Sequence, residues 1–265
     1  PAAVPLIVLI VSLLGFGIVL GGKLFSAFTL TLILQQVAIT GIIGAAQTLV
    51  ILTAGIDLSV GAIMVLSSVV MGQFTFRYGL PPALSVVCGF AVGALCGCIN
   101  GLLVSKMKLP PFIVTLGTWQ VFLATNFIYS ANETIRSQDI DAEAPILKFF
   151  ANDIRAGGAV FTYGVIAMVL LAVLLWYVLN HTAWGRHVYA VGDDPDAAEL
   201  SGVRTSRVLL QVYTLSGVIC AFGAWVLIGR VGAISPNSGA FTNIESITAV
   251  VIGGISLFGG RGSIL

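Results

Sequence analysis

The charged residues of this chain are few and unevenly placed, and their positions limit the chemistry it can do. The stretch from His181 to Arg207 holds Asp193, Asp194, Asp196, Glu199, Arg186, Arg204, Arg207 and both histidines, between two long apolar runs. At its centre, Asp196-Ala197-Ala198-Glu199-Leu200-Ser201-Gly202 has the form of a short exposed helix closed by a glycine. Gly202 suits the left-handed residue that ends a helix, and Pro195 suits a first turn. Asp194 can accept from the free amides of that turn, while the Asp196 carboxylate favours the positive end of the helix dipole. Such an element makes and breaks no bonds. It offers a soluble motor something to push. His181 and His187 would lie on different faces of a helix and flank Trp184, which reads as interfacial anchoring rather than a metal site.

Asp57 is the second chemical feature. It lies in Leu52-Thr53-Ala54-Gly55-Ile56-Asp57-Leu58-Ser59-Val60-Gly61, between apolar runs with almost no loop. An ionised carboxylate near lipid costs several kcal/mol unless paired or hydrated. Gly55 and Gly61 let the backbone bend, and Ser59 is placed to cap the helix that follows. Two readings stay open: a cap joining two half-helices, or a polar element of a translocation path. They overlap, because broken backbone at membrane depth survives only against protein or water. The segment Ser130 to Gly158 mixes Glu133, Asp139, Asp141, Glu143 and Asp153 with Arg136, Lys148 and Arg155. It reads as a solvated loop with a short surface helix, or as a docking surface with Glu245 and Arg230 as counterpart. Gly254-Ile255-Ser256-Leu257-Phe258-Gly259 imitates a phosphate loop, but Gly260 and Arg261 stand where Lys and Ser/Thr are needed. No Ser-His-Asp or Cys-His arrangement can be placed, so no catalytic centre is expected.

The elements that must hold these residues are membrane spans. The chain is 58% hydrophobic and 9% charged, with a mean hydropathy of +1.06, far from the one-quarter charged residues of soluble domains. With roughly 20 apolar residues per crossing, about eight spans fit. They are expected at 3–20, 37–55, 58–74, 81–104, 111–130, 159–180, 206–229 and 246–259. Residues 24–36 either lie along the interface or lengthen the second span. The last run is short and ends in Gly259-Gly260-Arg261-Gly262, as a re-entrant or interrupted helix would. Gly89, Gly93, Gly97 and Gly101 recur every fourth residue and form one bare stripe for close helix packing. The four cysteines lie in apolar runs and read as small packing residues. A net charge of +1 without a basic run argues against nucleic acid. Pro1 and Leu265 stand in apolar context, as in a piece trimmed at both ends.

Leu52 to Gly61 and Gly185 to Val203 strongly resemble the monosaccharide permeases of bacterial ATP-binding-cassette importers, in the ribose/xylose/fructose branch. Lys108-Leu109-Pro110-Pro111-Phe112-Ile113-Val114-Thr115-Leu116-Gly117 and Ala249 to Gly260 support the resemblance in the same order along the chain. The stretch 118–150 is most similar to fructose-type permeases. The resemblance implies an all-α polytopic transmembrane bundle with broken helices, a single permease domain over 1–265. It implies a second permease copy as homodimer partner, a cytoplasmic ATP-binding subunit that holds ATP and magnesium, and a periplasmic sugar-binding protein. This chain itself would carry no cofactor. Residues 181–207 then become the cytoplasmic coupling segment, with Asp194, Pro195, Asp196, Ala197, Ala198, Glu199 and Gly202 against the ATPase. Asp196 stands where many importers have Glu, which keeps the charge. Residues 131–157 become a periplasmic loop.

The function expected is therefore inner-membrane sugar import by alternating access. Asp57, Ser59, Asn100, Thr115 and Gln120 are candidates for the path, and Glu133, Arg136 and Glu245 for binding-protein docking. Basic residues orient the chain only by density. Lys106, Lys108, Arg186, Arg204 and Arg207 fall inside, with Lys23, Arg77, Arg136, Lys148, Arg155 and Arg230 outside. An ion-gradient transporter using Asp57 or Glu245, or a membrane receptor that transports nothing, are the alternatives. Neither accounts for the helix-and-glycine form of 193–202.

Overall fold

A computed structural model describes residues 3–156, 159–239 and 241–264. Gly157 and Gly158, at the close of the outer segment, and the terminal Pro1 and Leu265 lie outside them. Among the described residues six helices are long and apolar enough to cross a bilayer: α1 (Ala3–Leu20), α2 (Ala27–Leu52), α4 (Pro82–Ser105), α5 (Pro111–Ser130), α7 (Tyr163–His181) and α10 (Thr205–Val231). Two shorter apolar helices, α3 (Val60–Phe76) and α11 (Thr242–Ile252), join them. The count agrees with about eight apolar segments, two of them too short to span alone.

Local chemistry sets several boundaries. The Ser26 hydroxyl accepts from the Thr29 amide at 3.2 Å and starts α2, so residues 24–36 lengthen the second span. Pro82 and Pro111 open α4 and α5, where a missing N–H is harmless. The first residues of the span expected at 159–180 instead form a strand, and its helix begins at Tyr163. The run expected at 246–259 is helical only to Ile252, after which residues 253–264 are irregular. Gly254, Gly259, Gly260 and Gly262 hold positive φ there and cannot continue a helix.

The core lies between α2, α3, α4 and α10. Ile42, Ile43, Leu49, Ile63, Met64 and Tyr213 are fully buried. The glycine stripe of α4 is a packing surface. A Cβ at Gly97 would overlap the Tyr213 carbonyl oxygen of α10, and one at Gly217 would overlap the Gly93 carbonyl oxygen. The two backbones therefore meet directly, as helices in lipid do when small residues face each other. By contrast α1 shows its side chains outward, with Ile18 85% and Val19 80% exposed.

The bundle has two ends. At one, α6 (Ser137–Glu143), a 3-10 stretch (Pro145–Ala151) and a hairpin of β1 (Asp153–Ala156) with β2 (Ala159–Thr162) follow α5. The short helix expected in 131–157 is present, but the segment is no loose solvated loop. Ile140 and Leu147 are wholly buried, Phe150 packs on Phe222 and Trp225, and the Trp225 indole donates to the Ile146 carbonyl at 3.1 Å. Residues 135 and 234 pair as an isolated bridge. At the opposite end lie α8 (Ala183–Asp193), α9 (Pro195–Leu200) and the tail 253–264.

Filling the α4–α10 contact tests this packing. Gly217→Val should lower stability by about 1–3 kcal/mol through overpacking, read as a lower melting temperature in detergent. Gly117→Ala, with no atom near its Cβ position, should leave it unchanged.

Candidate functional site

The segment between α7 and α10 is built by short-range capping and then fastened to the bundle. Thr182 caps α8 by accepting from the Gly185 amide at 3.1 Å. Asp194 caps α9, its Oδ1 accepting from the amides of Asp196 at 3.0 Å and Ala197 at 2.9 Å. Pro195 opens α9, and Gly202, at φ +87°, turns the chain out of it. Ala198 is the one buried residue of α9. Asp196, Ala197 and Glu199 are exposed, and Leu200 is 92% exposed at the tip. α8 turns the other way: Val188 and Val191 are buried, and Trp184 donates to Gln211 of α10 at 3.0 Å.

The end of α8 sits directly on the end of α2. A Cβ at Gly192 would overlap the Leu52 carbonyl oxygen, and it would come within 2.7 Å of the Gly260 nitrogen. Leu52 is the last residue of α2, so its carbonyl lacks a partner within the helix. The Gly260 amide donates to it at 3.0 Å. The Tyr189 hydroxyl of α8 donates to the Gly262 carbonyl at 2.9 Å; burial raises the pKa of this phenol and keeps it a donor. Three segments far apart in sequence thus share one contact. The glycines dismissed as a false phosphate loop are what permits the approach.

Beyond Leu52 the helix breaks over residues 53–59, with Ala54 at φ +58°. Asp57 is 1% exposed; its Oδ1 accepts from the Ser59 amide at 2.7 Å and the Ser59 hydroxyl at 2.6 Å. Asn100 of α4 donates to the Ser59 hydroxyl at 2.8 Å, and Thr118 of α5 donates to the Asn100 oxygen at 2.7 Å. Thr115 donates to the Ile56 carbonyl at 3.0 Å. With its amide turned to match the backbone, Gln47 donates to the Asp57 carbonyl at 3.0 Å and accepts from the Asp57 amide at 3.3 Å. The break is therefore laced to α2, α4 and α5. Ser59 does not cap α3, because its hydroxyl is engaged by Asp57 and Asn100. The cap comes from another helix: Asn243 Oδ1 of α11 accepts from the Gly61 amide at 2.7 Å.

Of the five path candidates, Asp57, Ser59, Asn100 and Thr115 are thus gathered into one buried network, while Gln120 is exposed on α5. Glu133 and Arg136 are exposed at the loop end. Glu245 lines a cavity of about 310 Å³ with Gln36, Arg230 and Thr242 at the same end. Gly192, Tyr189, Gln47 and Asn243 were not singled out by sequence, and Gly260 only as part of a false phosphate loop. The doubled glycines at 253–254 and 259–260 were the visible signal for one of these contacts.

The chain matches, over residues 29–263, the family described as branched-chain amino acid transport system / permease component. It is 76% identical to the fructose import permease protein of Rhizobium meliloti over all of this chain and 74% of that protein. It is 38% identical to the ribose import permease protein of Bacillus subtilis, across 88% of this chain and 70% of the relative. Against the galactose/methyl galactoside import permease protein of Escherichia coli K12, identity is 32% over 91% of this chain and 74% of the relative. No solved structure matches the chain.

The caps and the seat should respond separately to mutation. Asp194→Ala should destabilise α9 by about 1 kcal/mol, seen as faster amide exchange at Asp196 and Ala197 alone. Gly192→Ala should instead loosen both α8 and the tail, exposing Tyr189 and the Gly260 amide to exchange.

Proposed function

The chain belongs to the family of branched-chain amino acid transport system permease components, and on that premise we propose a membrane subunit of an ATP-binding-cassette importer that carries a monosaccharide inward. It is a multi-pass inner-membrane protein, and its role is transport rather than catalysis. The sugar reading follows from relatives named for fructose, ribose and galactose import; fructose is the first candidate, given the 76% identity over the whole chain. ATP and magnesium belong to a partner ATPase beneath the α8–α9 end. A sugar-binding protein docks at the opposite end, over Glu133, Arg136 and Glu245. A second copy completes the passage.

The mechanical reading rests on one observation: α9 displays Leu200, Asp196 and Glu199 outward, while α8 is seated on the last carbonyl of α2. Motion of an ATPase groove holding α9 would pass through α8 to α2 with little slack, since the contact is backbone on backbone. From α2 it would reach the break at Asp57, whose hydrogen bonds to α4 and α5 carry the tilt sideways. We assign Asp57, Ser59, Asn100 and Thr115 to this brace beside the path, rather than to direct contact with sugar. The ion-gradient alternative would have Asp57 pick up its coupling ion. Asp57 is instead 1% exposed and closed to an ion arriving from water, although only its Oδ1 is engaged by Ser59 and its Oδ2 has no described partner.

Reconstituted vesicles holding the permease, its ATPase and its binding protein test this. Asp196→Lys or Gly202→Val should leave ATP hydrolysis running and cut sugar moved per ATP by about tenfold, the size of a typical coupling free energy. Normal coupled uptake in both variants would count against the lever.

A further inference from the structure

The proposed function needs a place where sugar rests between the two ends, and the buried Asp57 network leaves no room for one. A different cavity has the chemistry. It measures about 270 Å³ and lies between α3, α5, the turn 236–239 and the start of α11. Its floor is one face of α5, Trp119, Leu123 and Phe127, spaced four residues apart and so stacked along one side of the helix. Opposite are the small Gly61 and Ala62 at the start of α3. The polar groups come from Asn243, Asn237 and Ser238, and no charged residue lines the cavity among the described residues.

Asn243 is the informative residue. It is 5% exposed, and its oxygen is spent on the Gly61 amide at 2.7 Å. That bond fixes the amide orientation, because a backbone N–H can only be met by the oxygen. The Asn243 –NH2 has no acceptor among the described residues and stays available to a group that enters the cavity. The Trp119 indole N–H is likewise without a described acceptor. Asn237 gives its –NH2 to Asn132 at 3.3 Å, which leaves its oxygen as an acceptor. The cavity thus combines an apolar aromatic floor, two spare donors, a spare acceptor and a hydroxyl, and is electrically neutral. It also lies where the N-termini of the two short helices meet, the position at which discontinuous helices commonly hold a transported solute.

We infer that this chamber is a transient binding site for a neutral monosaccharide, with the C–H face of the ring on Trp119 and its hydroxyls on Asn243, Asn237 and Ser238. Each sugar hydroxyl can donate once and accept twice, which suits a mixed donor–acceptor rim. Few bonds are available, as a carrier that must release its cargo requires. The chamber shares Ser238 and Gly239 with the cavity of about 310 Å³ at the loop end, where Arg230 and Glu245 stand. The turn 236–239 is then the partition between an outer mouth and the inner chamber. This assignment rests on the permease reading.

The test uses the full complex with its ATPase and binding protein, measuring ATP-driven uptake of radiolabelled fructose and ATP hydrolysis together. Ala62→Leu narrows the chamber. Asn243→Asp keeps an oxygen for the Gly61 amide but removes the spare donor. Ala172→Leu fills a separate apolar cavity of about 440 Å³ beside α2, α7 and α11 and serves as the packing control. The first two variants should move about tenfold less fructose per ATP, with stimulated hydrolysis as in the wild type and, for Ala62→Leu, an unchanged melting temperature; Ala172→Leu should transport normally. Wild-type uptake by both chamber variants, or an equal loss in Ala172→Leu, overturns the site while leaving the permease reading standing. Absence of ATP-driven uptake by the wild-type complex refutes that reading, and the site falls with it.

Discussion

The carbonyl of Leu52, at the last turn of α2, is the point on which the rest of the structure leans. Helix ends leave their final carbonyls without partners, and within a membrane protein that deficit must be met by other parts of the chain. Here the Gly260 amide meets it, with Gly192 pressed alongside. No side chain fits at Gly192, so the contact tolerates neither drift nor substitution. α8, which leads into α9, therefore touches the helix that runs into the break at 53–59. A flexible side-chain contact would absorb small displacements; a glycine contact between backbones passes them on.

The break itself shows how an apolar chain keeps polar residues inside. Asp57, Ser59, Asn100 and Thr118 form a relay of hydrogen bonds of 2.6–2.8 Å that ties the break at 53–59 to α4 and α5. Buried polar groups of this kind hold position strongly when they satisfy one another and are expensive otherwise. The relay is not fully satisfied, since Asp57 Oδ2 is buried without a hydrogen-bond partner among the described residues.

What could be read from the residues alone followed the range of the interaction. The spans, the Asp194 cap, the Pro195 start and the Gly202 stop depend on neighbours within one turn and were legible. So was the glycine stripe of α4, because its period is that of the helix. The seat of α8 on Leu52 joins residues that no local pattern connects, and the cap of α3 by Asn243 crosses 182 positions. Ser59 was the natural cap for α3 until Asn100 and Asp57 competed for its hydroxyl. The segment 131–157 looked solvated because its charges are evident, whereas its anchors, Ile140, Leu147 and Phe150, are scattered apolar residues without a period. Family resemblance carried the function further than spacing could, since acidic residues on a short helix say nothing by themselves about sugar.

The central claim is that α9 faces a cytoplasmic ATPase and that the 131–157 end faces away from it. A photo-activated cross-linking residue placed at position 200 in the assembled complex measures this directly. The account predicts that it captures the ATPase, and that the same probe at position 133 captures the sugar-binding protein. Capture of the ATPase from position 133, or only lipid from position 200, would contradict it.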